Sequence, residues 1–239
     1  MDRIIAKKNT ILLKSNVTLD EIKDLAEKKK TSLFGMMFKR PKPEEIRILS
    51  TDLFFESIWK ITGEYNVDFY RKNTHQISTD PHVKEIVIGT GVFPVISESG
   101  TWKKFKGSMK IGEKMNKIDI PVEEHVEIER ESEVYLNSQG QQIELNFKIQ
   151  SKNIENFSDD FIKSNKNNIR SSGLTEEQII DIFLGFSKND LGEFLRIVSE
   201  RLVVNVFEEI FLPIYEIRFV DLKNTTKILR VDGMTSKIL

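Results

Sequence analysis

The sequence predicts an α+β fold: a largely antiparallel sheet, an N-terminal amphipathic helix ahead of it, and a C-terminal helical pair followed by a β-hairpin. Three observations lead there. Apolar residues recur at three- and four-residue spacing in residues 18–34 and 175–212, and at two-residue spacing in 44–150 and 215–231. Glycine-bearing turns punctuate the period-two region. Helices are gathered beside the strands and do not alternate with them, which separates α+β from a doubly wound parallel sheet.

Taken in order, Thr10 to Leu13 reads as a short strand, and Thr18 with Glu21 forms a capping box ahead of Leu19, Ile22 and Leu25. That helix runs into Lys28, Lys29 and Lys30, then Leu33 to Phe38. It stops at Lys39-Arg40-Pro41-Lys42-Pro43, where two prolines forbid continuation. A first segment, 1–43, is therefore an N-terminal amphipathic arm. In the strand-rich region 44–150, Tyr65, Val67 and Phe69 share one face, as do Ile143, Leu145, Phe147 and Ile149. Thr62-Gly63, Gly89-Thr90-Gly91 and Ser138-Gln139-Gly140 are the expected turns. In 151–239, Thr175 and Gln178 cap a helix carrying Ile179, Ile182 and Phe183. A longer helix follows from Asn189 or Asp190, with the stripe Leu191, Phe194, Leu195, Val198, Leu202 and Val206, and ends at Pro213. Tyr215, Ile217 and Phe219, a turn at Asp221 to Asn224, and Lys227 to Val231 make the closing hairpin.

The 239 residues are enough to close a hydrophobic core without metals or disulfides. Lys and Arg number 36 against 37 Asp and Glu, so no global field draws in nucleic acid or an anionic membrane, and any such binding comes from local patches. The absence of cysteine excludes a disulfide framework, thiol catalysis and thiolate metal sites, and fits a cytoplasmic location. Met1 to Lys14 lacks the apolar run of a signal peptide. Leu202 to Ile214, broken by Asn205, Glu208, Glu209 and Pro213, is too short for a transmembrane segment.

No motif points to catalysis. Gly89-x-Gly91 is followed by Val92-Phe93-Pro94, not by a helix N-terminus, and reads as a hairpin turn and not a phosphate loop. His75, His82 and His125 have no partner at metal-ligand spacing, and no nucleophile elbow exists. Glu123, Glu124, Glu127, Glu129, Glu131 and Glu133 crowd one segment. The alternation of Glu127 and Glu129 with Val126 and Ile128 makes it a strand with a solvated outer face. The expectation is no catalytic residue, no cofactor and no metal.

Two segments mix basic with apolar character. The first offers Phe34, Met36, Met37, Phe38, Lys39 and Arg40 as a protein-partner surface, and a non-catalytic protein-interaction module is the leading functional expectation. The second, Trp102, Lys103, Lys104, Phe105 and Lys106, suits nucleic acid, with lysines for phosphates and rings for bases. An enzyme with a dispersed site around His75, His82 and the carboxylates is the third reading. Homo-oligomerisation stays open.

Phe38-Lys39-Arg40-Pro41-Lys42-Pro43-Glu44-Glu45, with Trp59, Tyr65 and Tyr70-Arg71-Lys72, resembles the opening of an uncharacterised conserved archaeal protein family, a resemblance that implies no activity. Residues 215–239 are similar to the strand-turn-strand of PepSY-type domains. Val231-Asp232-Gly233-Met234-Thr235-Ser236-Lys237 matches their V-D-x-x-T-G-K close, except that Ser236 stands where the pattern has glycine.

Overall fold

The computed structural model describes residues 1–35, 41–80, 82–95, 116–155 and 157–239. Its elements are β1 (Asp2–Ile5), β2 (Asn9–Leu13), α1 (Leu19–Leu33), β3 (Ile46–Thr79), β4 (Glu85–Ile88), β5 (Gly91–Pro94), β6 (Asn116–Leu136), β7 (Gln142–Ile143), β8 (Ile154–Glu155), α2 (Asp159–Asn165), β9 (Ile169–Arg170), α3 (Glu176–Ser187), β10 (Arg196–Asp221) and β11 (Thr226–Asp232). They fall into two compact units. The first comprises Met1–Tyr65, Glu129–Asn189 and Arg201–Leu239, and the second Asn66–Ile128 and Asp190–Glu200.

The α+β expectation is overturned. Among the described residues strand outweighs helix 53% to 19%, and nine of the strands form a large mixed sheet. Its order is β7-β6-β3-β10-β2-β8, with β1 and β11 also paired to β10 and β9 to β3. It is mixed: β1 and β2 run parallel to β10 and β9 parallel to β3, whereas β11 pairs antiparallel with β10, β8 with β2 and β7 with β6. The C-terminal helical pair is absent, because only its first member, α3, is a helix. The predicted second helix is a loop, Asp190–Leu195, leading into the 26-residue strand β10.

The physical reason lies in the side chains. Between residues 197 and 206, Ile197, Val198, Val203, Val204 and Val206 are β-branched, which handicaps a helix and suits a pleated surface. Leu202 and Val204 are buried while Arg201 and Asn205 are exposed, a period of two hidden inside a stripe that also fits three and four. Pro213 does not stop a helix. It sits where β10 changes partner, after Phe211 pairs with Leu12 and before Ile214 pairs with Asp232, and its carbonyl accepts the Gly233 N–H at 2.8 Å. A proline is tolerated at such a break in the ladder.

In the first unit, α1 begins at the predicted capping box: the Glu21 N–H donates to Thr18 Oγ1 at 3.3 Å, and the Thr18 N–H to Glu21 Oε2 at 2.8 Å. Ile22 and Ala26 are buried against Tyr215, Ile217, Phe219, Leu229 and Val231, with Leu25, Leu33 and Phe34 packed at the margin. Residues 1–34 thus lie on their own chain. A second cluster gathers Ile11, Leu13, Ile58, Ile210, Leu212 and Ile214, and Ile143, Leu145, Phe147 and Ile149 pack against it. Those four alternate inward as expected, although only Gln142–Ile143 is ladder-bonded strand.

Of the expected turns, Gly89 (φ 60°) and Gly140 (φ 80°) use the left-handed backbone that glycine permits. Thr62-Gly63 is not a turn; β3 passes straight through it. Glycine is needed there for a different reason. A Cβ on Gly63 would stand 2.4 Å from the Val203 carbonyl oxygen and 3.1 Å from Val204 Cα.

The closing hairpin is present. Val220 pairs with Thr226, and Asp221 Oδ1 accepts the N–H groups of Lys223 and Thr225, both at 2.8 Å. After β11, Ser236 adopts φ 60°, with its N–H on the Asp232 carbonyl at 2.9 Å. The left-handed backbone costs a non-glycine residue about 1–2 kcal/mol, partly offset by the extra freedom glycine loses on folding. Ser236→Gly is therefore expected to stabilise the chain by about 0.5 kcal/mol, read as a higher urea midpoint at unchanged slope.

Candidate functional site

The second unit carries a cleft of about 550 Å³ lined by Arg71, Lys72 and Asn73 of β3 and by the loop Asp190–Leu195. Strand periodicity positions its strand wall. Val67 and Phe69 are buried, and two-residue alternation carries the same face on to Arg71, Asn73 and His75. The loop wall is tied down at two points: Phe194 lies against Phe69 with ring centroids 4.2 Å apart, and the Leu195 N–H donates to the Tyr70 carbonyl at 2.7 Å. Asp190 (φ 65°) and Gly192 (φ 76°) make the bends that let the loop return, and Leu191 anchors it by burial.

Three donors from alternate positions of β3 converge on one carboxylate of β6. Glu124 accepts Arg71 Nε at 2.8 Å on Oε2, and Asn73 Nδ2 at 2.8 Å and His75 Nε2 at 2.7 Å on Oε1. These hydrogen bonds, Arg71's foremost and then those of Asn73 and His75, lower the Glu124 pKa to about 2. A carboxyl so held stays ionised at all physiological pH values and is a poor general base. Its effect is to fix Arg71. Arg71 meets Glu124 through Nε, and the terminal nitrogens of a guanidinium form a planar fork that suits a carboxylate or phosphate. A carbon-detected titration of the Glu124 carboxyl is expected to show a midpoint near 2, and Arg71→Ala to move it upward.

On the opposite face of β3, His125 pairs with Asp68 and stacks on Tyr70 at 4.4 Å, and the Arg196 guanidinium lies 4.2 Å from the same ring. These contacts stiffen the β3 and β6 ribbon behind the cleft. Trp59, Tyr65 and Phe69 are buried, so they offer no platform on which bases could stack.

The sequence-derived candidates fare unevenly. Phe34 is half-buried at the edge of the α1 core, while Met36, Met37, Phe38, Lys39 and Arg40 lie outside the described residues. Trp102, Lys103, Lys104, Phe105 and Lys106 also lie outside them. Glu123, Glu127, Glu129, Glu131 and Glu133 are exposed along β6, whereas Glu124 faces the other way. His75 and His125 each meet one carboxylate, and His82 donates its backbone N–H to Asp80 at 2.8 Å. Among the described residues no group of three His, Asp or Glu side chains is placed to hold a metal ion, and no helix is long and apolar enough to cross a membrane. Sequence reasoning missed the loop wall by placing it in a helix.

Comparison with protein-family models, with curated proteins and with solved structures finds no match to this chain.

Proposed function

We propose that the chain is a non-catalytic protein-interaction module whose docking site is the cleft of the second unit. The observation that carries this reading is Arg71, a cation held through its Nε by Glu124 at the wall of an open cleft. Arginine fixed in advance loses little freedom on binding and is a frequent anchor of protein interfaces. Lys72 adds charge beside it, Leu195 adds exposed apolar surface, and Asp190 and Glu193 line the cleft from the loop. An extended partner segment that places an acidic side chain on Arg71 and Lys72 and an aliphatic one on Leu195 complements this wall. The downward shift of Glu124 favours binding over proton transfer.

The test is selection of displayed random peptides on the purified chain, followed by fluorescence anisotropy. The expected peptides are acidic and aliphatic, bind wild type and Phe34→Ser alike, and lose affinity about tenfold or more for Arg71→Ala/Lys72→Ala at unchanged thermal midpoint. Failure to select any peptide, or equal binding by the double variant, overturns the proposal.

A further inference from the structure

The strand wall of the cleft continues into an open sheet edge. β10 accompanies β3 as far as Tyr70, whose carbonyl accepts the Leu195 N–H at 2.7 Å, and the loop 190–195 diverges there through its bends at Gly192 and Asp190. β3 itself runs on to Thr79 beside β6, with Gln76 Nε2 on Asp119 Oδ1 at 3.1 Å and Thr79 Oγ1 on the Asn116 carbonyl at 3.4 Å. Among the described residues, nothing pairs with the other side of β3 beyond Tyr70. In a strand the N–H and C=O of one residue point to the same side, and those of the next residue to the opposite side. The Tyr70 carbonyl faces β10, so Lys72, Thr74, Gln76 and Ser78 turn their main-chain groups toward the open side. Thr74 is in keeping with this: its N–H donates to Asn73 Oδ1 at 2.8 Å, a local side-chain acceptor in place of a ladder partner.

We propose, resting on the reading of the cleft as a docking site, that an acidic peptide segment enters it as an added β-strand, its main chain paired with the edge of β3 from Lys72 to Ser78. An open edge is a template for such addition: main-chain hydrogen bonds give affinity, and the alternating side chains give specificity. Charge selects the occupant. Residues 71–79 contain Arg71 and Lys72 and no Asp or Glu. These two are successive on a strand, so their side chains project to opposite faces. A partner in register therefore meets them with acidic side chains at two adjacent positions, one on each face. Asp190 and Glu193 line the loop wall, where a carboxylate of the partner meets like charge, and this holds the acidic pair to the β3 wall. Lysine on an edge works against pairing with a second copy of the same edge, so Lys72 favours a partner of opposite charge.

The probe is the tightest-binding peptide from the display selection on the cleft, synthesised free, together with copies N-methylated at one backbone position each and a copy whose two acidic residues are separated by one position. Residue-resolved amide hydrogen exchange of the full chain is measured with and without the unmodified peptide. Exchange at the Lys72, Gln76 and Ser78 amides is expected to slow about tenfold or more at saturation. Affinity is expected to fall about tenfold or more at every second methylated position and little at those between, and to fall by a similar factor when the acidic residues are separated. The protein is unaltered in every arm, so loss of fold cannot imitate a result. Unchanged exchange at those three amides, equal effects of methylation along the peptide, or equal binding by the separated copy overturns strand addition while leaving the cleft a docking site. Slowing that arises without peptide and grows with protein concentration places a second copy on the edge and also overturns it. A selection that yields no peptide sinks the docking reading and this proposal with it.

Discussion

Gly63→Ala is expected to lower the thermal midpoint by about 10 °C, because the added methyl group meets backbone rather than a yielding side chain. Its Cβ would stand 2.4 Å from the Val203 carbonyl oxygen, a separation real Cβ atoms essentially never show, and 3.2 Å from the Phe183 ring. Relief requires β3 and β10 to part. Overpacking of this kind costs about 1–3 kcal/mol, and the upper end applies because the obstruction is main chain; in a chain of this size each kcal/mol moves the midpoint by about 2–4 °C. Scanning calorimetry on Gly63→Ala and Gly173→Ala decides it, since Gly173 has nothing within 4 Å of its would-be Cβ and its substitution should leave the midpoint in place. Equal midpoints for the two variants would refute the close approach of the strands.

Glu216→Ala is expected to cost about 3 kcal/mol, the range for removing one partner of a buried ion pair. Glu216 is buried toward the C-terminal end of β10 and receives both terminal nitrogens of Arg170, at 2.6 and 3.0 Å, with Arg230 Nε 3.4 Å away. Glu56 meets the same two arginines, and the Arg170 guanidinium lies 3.7 Å from the Phe54 ring. Taking Glu216 away leaves two cations with one carboxylate. The hydrogen bond from Arg170 leads the causes that lower the Glu216 pKa against the opposing effect of burial. A depressed folded-state pKa gives a contribution that is fully present above the ordinary glutamate value of 4.5 and disappears as pH falls through the folded value. Urea unfolding from pH 7 to pH 3 should show wild type losing stability across the acidic end, with Glu216→Gln losing less. Parallel curves would remove Glu216 from the account.

Much of this was legible beforehand, and where it was not the causes are specific. Both capping boxes, at Thr18 and Thr175, and the turns at Gly89, Gly140 and Asp221 depend on neighbouring residues, so local chemistry revealed them. Gly63 misled because glycine serves turns and close strand contact alike, and only the partner strand distinguishes the two. β10 misled because a stripe at three and four coexists with a run of β-branched residues, and pairing on both edges settles in favour of strand what local spacing leaves open. The cleft had one readable signal: Ile118, Ile120 and Val122 set an even-numbered inward face on β6, and Glu124 continues it while Glu123, Glu127 and Glu129 do not. Grouping the glutamates by proximity instead of parity hid the one that holds Arg71.

The placement of β10 also bears on how the chain acquires its shape during synthesis. Asp2 pairs with Arg201, and Glu208 with Asn9, so the first two strands meet β10 only after some two hundred residues have been made. At ribosomal rates of about 5–20 residues per second that is a delay of about 10–40 s, during which β1, β2 and the α1 face await the strand that completes them. Contacts of such long sequence separation make for slow folding. The nascent N-terminal stretch, rich in lysine and flanked by apolar side chains, is thus a segment for which a chaperone has a defined window of action, closing when β10 leaves the exit tunnel.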